Sequence, residues 1–394
     1  MSRFVTPALA LSPTPDEQAA QAFVSSLRNH VLNPLAAAMK ARFEAEIAPS
    51  LPEGATGRDV HAAMRGDRLF RFYSAARVKA QDMVWASVRP IIDRERRSLA
   101  DRFRALAADR TTAGTLTLDP GLPIPKNVAA LDVHRMPGNY HLDAGADDLA
   151  AGALYENGLA VFSFGLMGET LDDIGQSIAL WLRHRLPDFA PDAVLDLGCS
   201  VGHQTLPWKR AYPDARVTGI DVAPACLRYA HARAQAMGVE AHFVQADATR
   251  APFPDASFDL VFSSMFLHEL PKADIRAVFR EAHRLLRPGG LMLHYELPPN
   301  AKLSPYDGFY LDWDSDYNSE PYYRGYRDLV PADEVARAGF HGFFEASVPS
   351  LGWYGADAIV AAADADRAEA SDRLGRLGDG VTWYCYGGFR GPAA

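Results

Sequence analysis

An α/β fold, with a parallel sheet wound by helices and a mostly helical region ahead of it, is predicted by three observations. First, Val194, Leu195 and Leu197 form a short apolar run that ends in a glycine turn, Gly198-Cys199-Ser200-Val201-Gly202. That is the pattern of a buried strand feeding a helix. Second, four more strand-like runs follow at 216–221, 241–245, 258–263 and 291–295, with helix-length segments between them. Third, residues 14–110 repeat apolar side chains every three or four positions, the period of a helix. The chain has 394 residues, room for two domains. The expected division is a helical substrate or accessory domain over 1–150 and a ligand-binding α/β domain over 151–394.

Composition narrows the function. Hydrophobic residues make up 48% of the chain, enough to build a core. A net charge of −9 counts against a nucleic-acid partner, which calls for a basic surface. The cysteines, Cys199, Cys226 and Cys385, form neither a disulfide framework nor a zinc-binding spacing. No metal is expected, and a reducing, cytoplasmic setting is. The first residues are too short and proline-broken for a signal peptide, and no apolar run has the length of a membrane span.

In the N-terminal region Thr14-Pro15-Asp16-Glu17 reads as a helix start with a capping box. Phe23, Leu27 and Val31 are expected on its buried face, and Pro34 to break or kink it. Leu69, Phe70, Phe72 and Tyr73 make a dense apolar patch farther on. The cluster Arg94, Arg96, Arg97, Arg102 and Arg104, interleaved with Asp93, Glu95 and Asp101, reads as a solvated face with ion pairs. Residues 115–118 alternate like a strand. His134 and His141 read as ordinary loop histidines. Residues 159–164 read as a strand or buried loop, and 168–186 as an amphipathic helix leading into the glycine turn.

Behind the glycine turn the chemistry becomes more specific. The pattern is G-x-S-x-G rather than the dinucleotide G-x-G-x-x-G, and its context carries the meaning. Asp221 ends the second strand, where a carboxylate suits the two hydroxyls of a ribose. Asp247, after the third strand, offers a short acceptor for an adenine amino group. The stretches VLDLGCSVGHQT, VTGIDVAPACLRYA, FVQADATRAPFPDASFDLVFSSMFLHEL and LLRPGGLML lie in order between residues 194 and 293. Together they resemble the class I S-adenosylmethionine-dependent methyltransferases, in particular the small-molecule branch that includes quinone and sterol methyltransferases. Ser200 stands where that family usually has its middle glycine.

The resemblance implies a Rossmann-like sheet of seven strands, the last antiparallel and inserted between the fifth and sixth. It implies S-adenosyl-L-methionine as cofactor and a small hydrophobic or aromatic methyl acceptor, methylated on oxygen, nitrogen or carbon; a homodimer is compatible with it. The cofactor set it points to is Asp196, Gly198, Ser200, Gly202, Asp221, Val222, Asp247, Ala248 and Ser264. The turn and Ser264 would meet the methionine end, Asp221 the ribose, and Asp247 with Ala248 the adenine. Candidates for the chemistry follow the fourth strand and end the fifth: His268, a base or a loop-positioning group, then Glu269 and Glu296. His294 reads as a core histidine. Residues 298–328 form a long aromatic and acidic insert whose length suggests function. Tyr306, Tyr310, Trp313 and Tyr322 are its candidate substrate contacts, against a second wall of N-terminal helices. Two other readings compete. Ser200 also fits a hydrolase nucleophile elbow, with Asp259 and His341 as partners. A non-catalytic S-adenosylmethionine-binding protein is the other.

Overall fold

A computed structural model describes residues 7–108, 112–365 and 381–392. Among these residues eight strands form one sheet: β1 (Thr115–Thr117), β2 (Ala193–Leu197), β3 (Arg216–Asp221), β4 (His242–Gln245), β5 (Phe258–Ser264), β6 (Leu286–Glu296), β7 (Phe340–Pro349) and β8 (Thr382–Arg390). Their order across the sheet is β1-β4-β3-β2-β5-β6-β8-β7. β8 runs antiparallel between β6 and β7, as expected. The eighth strand is the correction: β1, from the region ahead of the glycine turn, adds to the edge by pairing parallel with β4. β2 at the centre is buried along its whole length, which is why it is apolar apart from Asp196.

The N-terminal region is built of α1 (Pro15–His30), α2 (Ala36–Arg42), α3 (Gly57–Met64) and α4 (Arg68–Ala108). Thr14 caps α1 and Glu17 answers it, so the capping box forms. Its buried face differs from the expected one. Val24 and Val31 are inside with Gln21 and Arg28, while Phe23 is exposed. Pro34 does not break the chain; a wider, π-type turn at Val31–Leu35 absorbs it between α1 and α2. In α4 Phe70 and Tyr73 are buried and Phe72 is exposed. Of the arginine cluster, Arg94 pairs with Glu17, Arg102 with Glu95, and Arg104 with Asp101 and Asp147. Among the described residues no helix is long and apolar enough to cross a membrane.

Two further expectations are corrected. Residues 159–164 are neither strand nor loop up to Phe162: they close the helix Ala150–Phe162. Two glycines let that helix approach its neighbours. A Cβ on Gly152 would sit 2.4 Å from Tyr229, and one on Gly158 2.1 Å from Trp85. Residues 298–328 are a pair of helices, Pro305–Tyr317 and Tyr323–Arg327, rather than a loop. Tyr306, Phe309 and Trp313 pack with Phe70, Tyr73 and Met64 in a cluster shared with the N-terminal helices. The amphipathic helix before the sheet runs Asp173–Arg185. The sequence also predicts an alanine-rich helical stretch over 355–377; its start is the helix Ala356–Asp364, and 366–377 lie outside the described residues.

Candidate functional site

Strands β2, β3, β5 and β6 end on the same edge of the sheet, and the turns that leave them meet one cavity of about 360 Å³. Its floor is Asp196, Gly198, Ser200, Asp221, Val222 and Ser264. Gly198 has φ +75°, and a Cβ there would lie 2.4 Å from the Phe266 ring, so the turn requires glycine. Ser200 also sits in the left-handed region, at φ +46°. Its backbone N–H donates to Asp221 Oδ2 at 2.8 Å, while the N–H of Ala223 donates to Oδ1 at 2.9 Å. These two bonds hold the Asp221 carboxylate at the cavity edge.

Three polar atoms in this floor are buried without a hydrogen-bond partner: Asp196 Oδ1, Ser200 Oγ and Ser264 Oγ. Asp196 uses only Oδ2, which accepts from the Thr205 hydroxyl at 2.6 Å. Buried acceptors left open usually face a missing partner. Burial pushes the Asp196 carboxyl up to about 7, Thr205 opposing and Asp221 assisting, and burial likewise raises Asp221 to about 6. Both shifts favour a ligand that brings donors or positive charge.

Three expected cofactor residues lie outside the lining. Gly202 packs against Phe243 and Ala230. Ala248 is buried in the core. Asp247 accepts from the backbone and hydroxyl of Thr249, the role of a turn-forming aspartate.

Above the floor stands a wall of hydrogen-bonded carboxyl and imidazole groups. Glu296 is 1% exposed and accepts from the N–H groups of Phe266 and Leu267 at 2.7 and 2.5 Å. Its other oxygen, Oε2, is hydrogen-bonded to His268 Nδ1 at 2.6 Å. Burial works against charge on His268, but Glu296 first, then Glu320 and Glu269, outweigh it and raise the imidazole to about 9. The bond to Glu296 and this upward shift support the positioning role of His268, one of the two expected of it. Glu296 ties the segment after β5 to the end of β6.

The largest omission of sequence reasoning is His134. It is no ordinary loop histidine: Nδ1 lies 2.9 Å from Glu320 Oε1 and Nε2 lies 3.3 Å from Glu269 Oε1. Burial opposes its charge, yet these two carboxylates hold it well above the usual histidine range. Tyr140 also donates to Glu269, at 3.3 Å. His294 is the core histidine expected, fully buried and hydrogen-bonded to Ser263.

The N-terminal helices supply the far wall through Arg28, Leu32, Arg77, Gln81 and Trp85. From the insert, Tyr310, Asp314 and Asn318 line the cavity, one helical face at four-residue spacing, with Tyr323 beyond them. Tyr306, Trp313 and Tyr322, expected there, do not line it. Trp313 turns to the N-terminal helices, stacking under Arg77 at 3.9 Å and donating to Ser74. Tyr323, not Tyr322, meets His268, edge to face at 5.3 Å.

The hydrolase arrangement is not assembled. Asp259 takes the backbone of Asp192 and Ala193 and pairs with Arg287, near the start of β5. His341 is bonded to the carbonyl of Phe389. Both lie outside the cavity that holds Ser200.

Comparison with known proteins agrees with the floor of this site. Residues 194–290 match a methyltransferase domain family. These residues carry a methyltransferase domain. It is similar to a demethylmenaquinone methyltransferase of Thermus thermophilus, at 39% identity over 29% of this chain and 50% of that one. It is also similar to a malonyl-[acyl-carrier protein] O-methyltransferase of Dechloromonas aromatica, at 34% over 35% and 50%. A 27-O-demethylrifamycin SV methyltransferase of Amycolatopsis mediterranei is 38% identical over 31% and 44%. The chain thus spans about half the length of the curated relatives it matches. The methyltransferase match begins with β2 and does not reach the N-terminal helices or the insert.

Proposed function

We propose that this protein is an S-adenosylmethionine-dependent methyltransferase acting on a small, largely apolar organic acceptor. One observation carries the reading: a single cavity joins the turns of the methyltransferase sheet to a wall of N-terminal helices and insert. Cofactor and acceptor then share one enclosed space, as in-line transfer requires. Residues 1–150, apart from β1, which joins the sheet, serve as the substrate domain and 151–394 as the cofactor domain, with the insert at 298–328 as part of the acceptor wall.

The residues present fit the cofactor. Asp196 Oδ1, Ser200 and Ser264 offer open buried atoms toward its amino-acid end. Asp221 has carboxylate lone pairs left for ribose hydroxyls beyond its two backbone bonds. Asp247 and Ala248, which lie outside the cavity lining, would have to turn toward it to meet the adenine. Bound there, the cofactor supplies an electrophilic methyl group on a sulfonium.

The chain's own residues set position and proton. His268 and Glu296 act as positioning residues, fixing Phe266 and Leu267 over the Gly198 turn. Glu269 is the proposed proton acceptor, oriented by His134 and Tyr140. The net charge of −9 and three buried, unpaired thiols support a cytoplasmic enzyme of small molecules rather than of nucleic acid.

Methyl-labelled cofactor incubated with the purified chain and a panel of small organic acceptors tests the reading. Transfer of label that Asp221→Ala abolishes is the expected outcome. Cofactor binding without transfer to any acceptor would favour the non-catalytic alternative.

A further inference from the structure

We infer that Arg28 anchors an organic carboxylate carried by the acceptor, an inference that rests on the methyl-transfer reading and names its substrate class. Arg28 sits on α1, 3% exposed, in the cavity wall. Its hydrogen bonds all go to neutral oxygens. Nε donates to the carbonyl of Phe162 at 3.2 Å and one Nη to Gln81 Oε1 at 2.6 Å. The guanidinium lies 3.9 Å over the Phe162 ring. Among the described residues no carboxylate pairs with it. Buried arginines are ordinarily paired, because an unpaired buried charge is costly.

The other cavity arginine shows the contrast. Arg77 is met by both oxygens of Asp314, at 3.1 and 2.9 Å, and lies on the face of Trp313. Arg77 is therefore satisfied within the protein, and Asp314 is committed to it. Burial first, and the repulsion of Arg77 next, pull Arg28 down to about 9. An anion arriving at Arg28 relieves both.

Gln81 aims the group. Its amide nitrogen donates to the carbonyl of His134 at 2.9 Å, which leaves Oε1 to face Arg28. Two of the guanidinium's five donors are then used. Those remaining have the fork geometry that a carboxylate accepts in pairs. The walls beside Arg28 are Leu32, Leu159, Phe162 and Trp85, so the body attached to the carboxylate is apolar. A phosphate is disfavoured, since the second cation is already neutralised by Asp314.

Calorimetry of the full chain saturated with S-adenosylhomocysteine, titrated with 2-naphthoate and with 2-naphthamide, tests this. The acid is expected to bind at least about tenfold tighter than the amide, a difference of about 1.4 kcal/mol. Arg28→Gln should bring the two within about twofold and leave S-adenosylhomocysteine binding unchanged. Arg28→Lys, which keeps the charge and loses the fork, should retain part of the preference. Equal affinities in the wild type, or no detectable binding of the acid, overturn the proposal; so does a preference that survives Arg28→Gln. If Arg28→Gln fails to bind S-adenosylhomocysteine through misfolding, an undiminished preference in Arg28→Lys overturns it instead. Failure of the methyl-transfer reading is distinct: the wild type would then not bind S-adenosylhomocysteine.

Discussion

The buried pair of His268 and Glu296 should make the stability of the fold fall with rising pH in a window set by one histidine. His268 is raised from 6.5 to about 9 in the folded chain. A raised folded value means the native state holds the proton more tightly than the unfolded chain does. The contribution is therefore complete below about 6.5 and is lost as pH rises through about 9. At about 1.4 kcal/mol per unit the shift is worth about 3 kcal/mol at pH 6, about 2 at pH 7.5 and little at pH 9.5. Both groups are fully buried, so solvent screening does not reduce it. Glu296→Gln removes the countercharge and leaves burial, which favours neutral imidazole, so the pH dependence from His268 should vanish or reverse. Denaturant unfolding of wild type, Glu296→Gln, His268→Gln and the double variant at pH 6, 7.5 and 9.5 measures the coupling as a cycle. A coupling that does not shrink between pH 6 and 9.5 would refute the assignment of His268 as an imidazolium.

Three other outcomes follow from the floor of the cavity. With Asp196 raised to about 7 and Asp221 to about 6, the ligand's ammonium and ribose hydroxyl donors should drive protons off. S-adenosylhomocysteine binding near pH 6.5 should release protons, measured from the buffer-ionisation dependence of the calorimetric heat, and Asp196→Asn should reduce the release. Gly198→Ala should cost about 1–3 kcal/mol through its left-handed backbone, with a further loss from the clash with Phe266. Gly198→Ala combined with Phe266→Ala should recover the steric part only, visible as thermal midpoints. A fluorophosphonate probe should leave Ser200 unlabelled, since Asp259 and His341 are elsewhere; stoichiometric labelling would restore the hydrolase reading.

What the sequence disclosed was local. The strands from β2 onward, the glycine turn and Asp221 are consecutive patterns whose physical meaning needs no distant partner. β1 was visible as an alternating stretch, but only its pairing with β4, more than a hundred residues on, makes it part of the sheet. Residues 159–162 are apolar in either conformation, and a short apolar run does not distinguish strand from helix. Phe23 and Phe72 fit helical periodicity one position away from the faces that tertiary packing selected. In the insert, aromatic density gave no face; the four-residue series Tyr310, Asp314 and Asn318 was the signal that would have separated the cavity residues from Trp313. His134 had no such signal. Its partners Glu269 and Glu320 are 135 and 186 residues away, and only the fold brings them together.

The central claim is that the turns after β2 and β3 bind the cofactor, and one titration addresses it most directly. S-adenosylhomocysteine titrated calorimetrically into the wild type should bind in the micromolar range, about −8 kcal/mol, and Asp221→Ala, folded by its melting curve, should abolish that binding. No binding by the wild type, or full affinity in Asp221→Ala, would contradict the account.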